Sequence, residues 1–341
     1  MNRSWPLILR VVILAIALGA ASGVVGAALT TIYLSNYADA LGGTTAPSFS
    51  FSGARPAPAT ASTLSDMRDV VFGASVQLYK AKTESPDPSK ADRQGVVLTS
   101  DGWLAVADAD SGLATAVIGR RSYPITRSVT DPASGVVFLK VDARDLPTIG
   151  FGDAFSLAAG DDEYAVDGRE SLRRVRVLSV SQPLQAISDK VARRIVLDVP
   201  ASSAFAPAFS STGDLIGFVS VDGSLLSVNA FLPAFQSLLK DGTISRPTLG
   251  ISFINLASSI VPATNTIDAP DTGEQVISVA KGSVAQTAGL QAGDVMVSLD
   301  DRPLDNDAPL DEQLLQEDVG DTPVLSIMRG TNTLTLPLPL R

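Results

Sequence analysis

Between residues 70 and 228 the apolar residues come in runs of nine or fewer, and turn signals separate the runs. The runs fall at 70–78, 95–98, 103–106, 116–118, 136–141, 175–180, 194–199, 215–221 and 225–228. Ser100-Asp101-Gly102, Asp131-Pro132, Thr212-Gly213-Asp214 and Asp222-Gly223 stand between them. Short runs at near-regular spacing cannot supply the long apolar stripe of a packed helix. They predict many short strands closing into barrels or a sandwich. One helix is expected at the end of this region, with Pro233 in its first turn, Phe235, Leu238 and Leu239 at helical spacing, and Asp241-Gly242 as its stop. Arg173-Arg174-Val175-Arg176 reads as a solvated strand edge.

Ahead of this region, residues 11–34 carry no charge. At about 1.5 Å per residue such a helix is about 36 Å long, enough to cross a hydrocarbon core of about 30 Å with some tilt. Arg3 and Arg10 precede it and Asp39 follows, so residues 1–10 are expected in the cytoplasm and everything after the span outside it. A cleaved signal peptide ending at Ala38-Asp39-Ala40 is the competing reading, but the apolar stretch is longer than such peptides use. Gly19 and Gly23 form a small-residue pair that lets two such helices approach. Residues 35–65, rich in Ala, Gly, Pro, Ser and Thr, read as a flexible tether. The expected location is therefore the cell membrane, single-pass, with the folded domains extracytoplasmic.

Charge and missing residue types remove several functions. The formal net charge is −10, and the last 99 residues hold most of it, with 5 basic and 13 acidic groups. No segment has the Lys/Arg excess that binds a phosphate backbone, so no nucleic-acid partner is expected. With no cysteine there are no disulfides, and with no histidine either, a zinc site would need carboxylates alone. No metal or other cofactor is expected. The absent histidine also excludes Ser-His-Asp hydrolysis, because His is the side chain whose ordinary pKa suits a base near neutral pH.

Local motifs nevertheless fall in a familiar order. Gln94-Gly95-Val96-Val97-Leu98-Thr99-Ser100-Asp101-Gly102-Trp103-Leu104 resembles the strand and turn before the catalytic histidine of the HtrA/Deg family, trypsin-like serine proteases with C-terminal PDZ domains. Asp131-Pro132 followed by Val136-Val137-Phe138-Leu139-Lys140-Val141-Asp142 is similar to the strand that holds the family's aspartate. Phe151-Gly152-Asp153 and Thr212-Gly213-Asp214-Leu215-Ile216-Gly217-Phe218 resemble two further landmarks, the second lying just after the nucleophile loop. Counted from these motifs, the three triad positions fall on Ala109, Gly135 and Ala204, and all three functional groups are missing. Phe205 and Ala206 stand where the family has the glycines of its oxyanion turn. The alternative bases are Lys140 or Lys190 acting on Ser202 or Ser203, and the pair Asp108 and Asp110. No spacing points to any of these over ordinary loop residues.

The last hundred residues carry the most specific resemblance. Arg246-Pro247-Thr248-Leu249-Gly250-Ile251-Ser252-Phe253 is similar to the family's carboxylate-binding loop and the strand after it. Lys281-Gly282-Ser283-Val284-Ala285-Gln286-Thr287-Ala288-Gly289-Leu290-Gln291-Ala292-Gly293-Asp294 resembles its PDZ signature, in which Ser283 caps a short helix and Gly289 ends it. A second helix is expected over residues 309–317, then a hairpin over 322–328 and 333–338. Such domains take an extended peptide as an added strand, with backbone N–H groups around its terminal carboxylate. The resemblance implies that Thr248, Leu249, Gly250, Ile251 and Ser252 form the peptide-binding edge and that Leu310 and Leu314 either wall the pocket or sit in the core.

The sequence therefore predicts a mainly β chain. A trypsin-like double β-barrel (66–242) is followed by an α+β PDZ-like domain (243–341), with one N-terminal transmembrane helix. The expected partners are peptides or unfolded-protein C-termini, the membrane through the N-terminal helix, and further copies or relatives in a homotrimer or hetero-oligomer. The expected role is that of a pseudoprotease acting as sensor, adaptor or scaffold. An active endopeptidase with a non-standard base and a purely structural oligomer remain the alternatives.

Overall fold

The computed structural model describes residues 64–80, 87, 90–107, 112–166, 171–199, 205–258 and 272–341. The expected membrane segment and nearly all of the tether lie outside these residues, and among the described residues no helix is long and apolar enough to cross a membrane. All described residues belong to one compact unit. Helix α1 (Leu64–Gly73) opens it, burying Met67 and Val71 one turn apart. The apolar run at 70–78 is therefore not one strand. Its first four residues finish α1, the chain turns at Ala74, and β1 (Ser75–Tyr79) follows, with Ser75 Oγ donating to Val71 O at 2.7 Å.

Strands β1, β2 (Arg93–Val97), β3 (Trp103–Ala107), β4 (Thr115–Ile118), β5 (Arg121–Thr130) and β6 (Val136–Val141) form a closed barrel in the order β1-β2-β3-β6-β5-β4. The central strands lack polar alternation because both of their faces are covered. Leu104, Val106, Val137 and Leu139 point into the barrel. Trp103, Ala105, Val136 and Phe138 face the packing between the two barrels. The chain continues through β7 (Asp162–Val166), β8 (Leu172–Ser181), β9 (Gln185–Ile187), β10 (Arg194–Leu197), β11 (Pro207–Phe209), β12 (Leu215–Val219) and β13 (Leu225–Ser227). All but β9 form a six-stranded sheet, β10-β8-β7-β11-β12-β13, which a Val196–Ser224 bridge closes on itself. Because β8 lies between β7 and β10, the arginine run is not an edge; Arg174 and Arg176 instead reach Asp162 on the neighbouring strand.

Helix α2 (Val228–Asp241) ties the barrels together. Ser227 caps its start, accepting from Ala230 N, and Gly242 ends it with φ +75°. Pro233 therefore sits inside the second turn and not in the first, where its missing N–H leaves one early carbonyl without a helical donor. Phe231 and Phe235, four residues apart on one face, lie 5.8 Å from Phe218 of the second barrel and 5.2 Å from Phe138 of the first, ring centre to ring centre. Such aromatic pairs add about 0.5–1.5 kcal/mol each beyond the area they bury.

After α2 come β14 (Ile251–Asn255), β15 (Glu274–Val279), α3 (Val284–Ala288), β16 (Val295–Leu299), β17 (Arg302–Pro303), α4 (Leu310–Gln313), β18 (Val324–Arg329) and β19 (Asn332–Pro337). The expected Ser283 cap and Gly289 stop are both present on α3. The second helix is shorter than expected: α4 gives way after one turn to a 3-10 turn at Leu314–Gln316. The sheet order is β19-β18-β16-β15-β14-β9, so a three-residue strand from the barrel region completes the C-terminal sheet.

Candidate functional site

The first candidate site includes the turn before β6, where the resemblance places the aspartate position at Gly135. Asp131 is fully buried; its carboxylate accepts from Ala133 N (3.2 Å), Ser134 N (3.3 Å), the Ser134 hydroxyl and Arg246. Gly135, which donates to Asp131 O at 2.8 Å, has φ +78°. Regaining a carboxylate there means placing a side chain on left-handed backbone. Ala109, Ala204, Ser202, Ser203, Asp108 and Asp110 lie outside the described residues. Lys140 is committed elsewhere: its ammonium donates to the Asp101 carboxylate at 2.7 Å and sits 5.6 Å above the Trp103 ring. Lys190 stands in the turn after β9 beside the C-terminal domain.

Phe205 keeps a left-handed backbone (φ +66°) at a position the resemblance assigns to glycine. For a bulky residue this conformation is costly. Its N–H donates to Val219 O at 2.6 Å, and its ring lies 5.1 Å under the Arg93 guanidinium and packs on the inter-barrel core. At this position the backbone N–H is thus committed to Val219 O, and a large side chain stands where the resemblance has a glycine.

The second candidate site is the groove between β14 and α4, and it is filled. Residues 184–189 run antiparallel to β14, pairing Gln185 with Ile254, Ala186 with Phe253 and Ile187 with Ser252. Asn255 N donates to Leu184 O (3.1 Å) at one end, and Ser188 N donates to Ile251 O (3.0 Å) at the other. At the loop the side chains take over. Asp189 Oδ1 accepts from Leu249 N (2.9 Å) and Gly250 N (3.1 Å), and Ser188 Oγ accepts from Ile251 N (3.1 Å). Five of the residues expected at the peptide edge are thus placed. Leu249, Gly250 and Ile251 donate backbone N–H groups to this segment, Ser252 pairs with it, and Thr248 is exposed beside it. Leu310 lies in the domain core, whereas Leu314 also lines a crevice beside Asp189. The sequence reading missed the occupant, since nothing in Gln185-Ala186-Ile187-Ser188-Asp189 marks a ligand.

Gly250 is required on two counts. Its φ is +76°, and a Cβ there would come 2.6 Å from Ser283 Cβ. Gly250→Ala is expected to cost about 2 kcal/mol or more in urea unfolding of the full chain, combining left-handed strain with a steric clash.

From the other side, α4 and its flanks grip the same segment. Ala192 N donates to Asp311 Oδ2 at 2.6 Å. Arg193 makes a two-pronged pair with Glu312, Nε to Oε1 at 2.6 Å and Nη2 to Oε2 at 3.0 Å, and Gln182 Nε2 also donates to Glu312 at 2.9 Å. Beneath them Glu274 is fully buried and accepts from Leu310 N at 3.2 Å. Burial, reinforced by the nearby Asp311 and Glu312 charges, pushes Glu274 up to about 8. Burial likewise pushes Asp311 up to about 7 and raises Glu312, the latter opposed by Arg193.

Comparison with known proteins assigns these pieces. The PDZ domain family profile matches residues 247–340. A DegP-like periplasmic serine endoprotease of Pseudomonas putida is 27% identical over 251 residues, 65% of this chain and 51% of that protein. The alignment therefore extends well beyond the PDZ segment. Over both its barrel region and its PDZ segment the chain is similar to the HtrA-type serine proteases. The serine protease HhoB of Synechocystis is 23% identical over 273 residues, 72% of this chain and 65% of that protein. The solved structure of the HtrA-type protease AlgW with decapeptide shares the fold, with TM-score 0.57 at 16% identity, covering 82% of this chain and 99% of that one. The chain spans about half the length of the DegP-like relative. A trypsin-like pair of barrels is thus followed by a PDZ domain.

Proposed function

We propose that this HtrA-like chain is a pseudoprotease, a binding protein that recognises peptides or protein C-termini through its PDZ domain and does not hydrolyse them. The single observation that carries this reading is the absence of histidine from all 341 residues. A serine hydroxyl near neutral pH needs an adjacent base of matched pKa, and imidazole is the side chain that supplies one in this fold. Two features support the same conclusion. Gly135 stands on left-handed backbone at the position the resemblance gives to the orienting aspartate, and Phe205, at a glycine position of the oxyanion turn, has its N–H bonded to Val219 O. The backbone donors of Leu249, Gly250 and Ile251 point to recognition of a carboxylate, with Leu314 at the pocket. We place the protein at the membrane through residues 11–34, with its folded part outside the cytoplasm, as the charge pattern around that segment and the periplasmic designation of the P. putida relative suggest. Assembly with further copies, or with active relatives, fits the adaptor role.

The relatives' designation as serine proteases, one of them an endoprotease, favours a second reading, an endopeptidase with another base. Incubating the purified chain with unfolded casein separates the two. No cleavage above a buffer control is expected. Cleavage that Ser202→Ala or Ser203→Ala abolishes would establish the enzyme instead.

A further inference from the structure

We propose that residues 184–189 are a built-in ligand of the PDZ groove, with the Asp189 side-chain carboxylate standing where a bound peptide's terminal carboxylate would stand. This inference rests on the peptide-binding reading above and adds how that site is regulated.

Three observations carry it. The first is polarity. The segment runs antiparallel to β14 with its C-terminal end at the Leu249-Gly250 loop, the direction a peptide must take to bring its carboxyl end there. The second is the chemistry at that end. One carboxylate oxygen of Asp189 accepts two successive backbone N–H groups, 2.9 and 3.1 Å away, while Ser188 takes both the N–H and the carbonyl of Ile251. A side-chain carboxylate has the same charge and the same pair of acceptor oxygens as a chain terminus, so it satisfies the loop as a surrogate. The third is containment. Ala192 and Arg193 bind Asp311 and Glu312 on α4, so the segment is held from both walls of the groove.

Without the segment, β14 would be an unpaired sheet edge, the kind of surface that takes an added strand. Its side chains also describe what the groove accepts. Ala186 turns inward and packs on the PDZ core, whereas Leu184 and Ile187 are about half exposed, at 51% and 47%. A free peptide entering the same register would need a small residue at the inward position. Being tethered, the resident segment competes at an effective concentration in the millimolar range, so an external C-terminus binds only to the released fraction.

The probe is a fluorescent synthetic peptide copying residues 181–189 with a free terminal carboxyl, titrated by anisotropy against the full chain and its Asp189→Ala variant. Hydrogen exchange of residues 249–255 is followed in parallel. The variant is expected to bind at least tenfold more tightly than the unaltered chain, and its β14 amides are expected to exchange faster when no peptide is present. Equal binding by both proteins, with β14 protection unchanged by the substitution, would overturn the built-in ligand and leave the peptide-binding reading intact. If neither protein binds but the variant loses β14 protection, the segment is upheld as the groove's occupant and recognition of external C-termini falls. Should Asp189→Ala fail to fold, Asp189→Asn serves in its place. It keeps one oxygen acceptor but loses the charge, and a smaller shift of the same sign is expected.

Discussion

Replacing Arg193 by Ala is expected to destabilise the folded chain by about 3–5 kcal/mol at pH 8, the usual result of stripping one partner from a buried ion pair. Both partners are nearly sealed from water, with Arg193 9% exposed and Glu312 6% exposed. Much of the loss comes from the Glu312 carboxylate, left charged with no other cation bonded to it among the described residues; Gln182 offers it only a neutral N–H. Protonation caps the penalty, because a buried acid without its counter-ion neutralises instead of remaining charged. Denaturant midpoints for Arg193→Ala should therefore fall less at pH 5.5 than at pH 8. The double variant Arg193→Met with Glu312→Gln should recover most of the stability. A loss under about 1 kcal/mol at pH 8 would show that the pair behaves like an exposed one.

Stability of the unaltered chain should fall as pH rises from 5.5 to 8.5, with the melting temperature dropping by about 5 °C. Glu274, Asp311 and Glu163 are held at about 8, 7 and 7, each raised by burial first, from ordinary values of 4.5, 3.8 and 4.5. For an acid raised by folding, the folded state binds more protons than the unfolded state between the two values. Stability then declines with pH across that window and is highest near its acidic end. Carboxylates lowered by partners act with the opposite sign, but only below about pH 5, so they do not offset this decline. Glu274→Gln isolates the largest contributor. Its amide oxygen still accepts from Leu310 N, so the variant should keep the acid-side melting temperature and lose a sizeable part of the alkaline decline. A flat melting profile in the unaltered chain would show that these carboxyls are solvated in solution.

Much of this protein was legible before any coordinates. Turn signals at Ser100-Asp101-Gly102 and Thr212-Gly213-Asp214 sit between β2 and β3 and between β11 and β12, because a tight reversal needs those residue types wherever it occurs. Gly242 and Gly289 end their helices in left-handed conformation as their positions suggested. Where the reading slipped, longer-range packing had overridden local pattern. Residues 70–78 look like one strand, but Met67 and Val71 are buried on the inter-barrel core, so the first part is helical. Pro233 looked like a helix start because its ring is tolerated there, yet Ser227 supplies a side-chain cap six residues earlier.

Composition and local motif order were sufficient to show that the chain has no imidazole and that it resembles the HtrA-type proteases. A missing imidazole is a property of the list of residues, whatever their arrangement. The filling of the peptide groove belongs to another level. Gln185-Ala186-Ile187 is too short to carry a strand period, and Asp189 is one acid among many. They become a ligand only because the barrel sets them against Leu249–Asn255, some sixty residues away in the chain. Pairing across that separation depends on how two domains dock. Docking is decided by Arg193, Asp311 and Glu312 meeting in three dimensions, which no window of sequence contains.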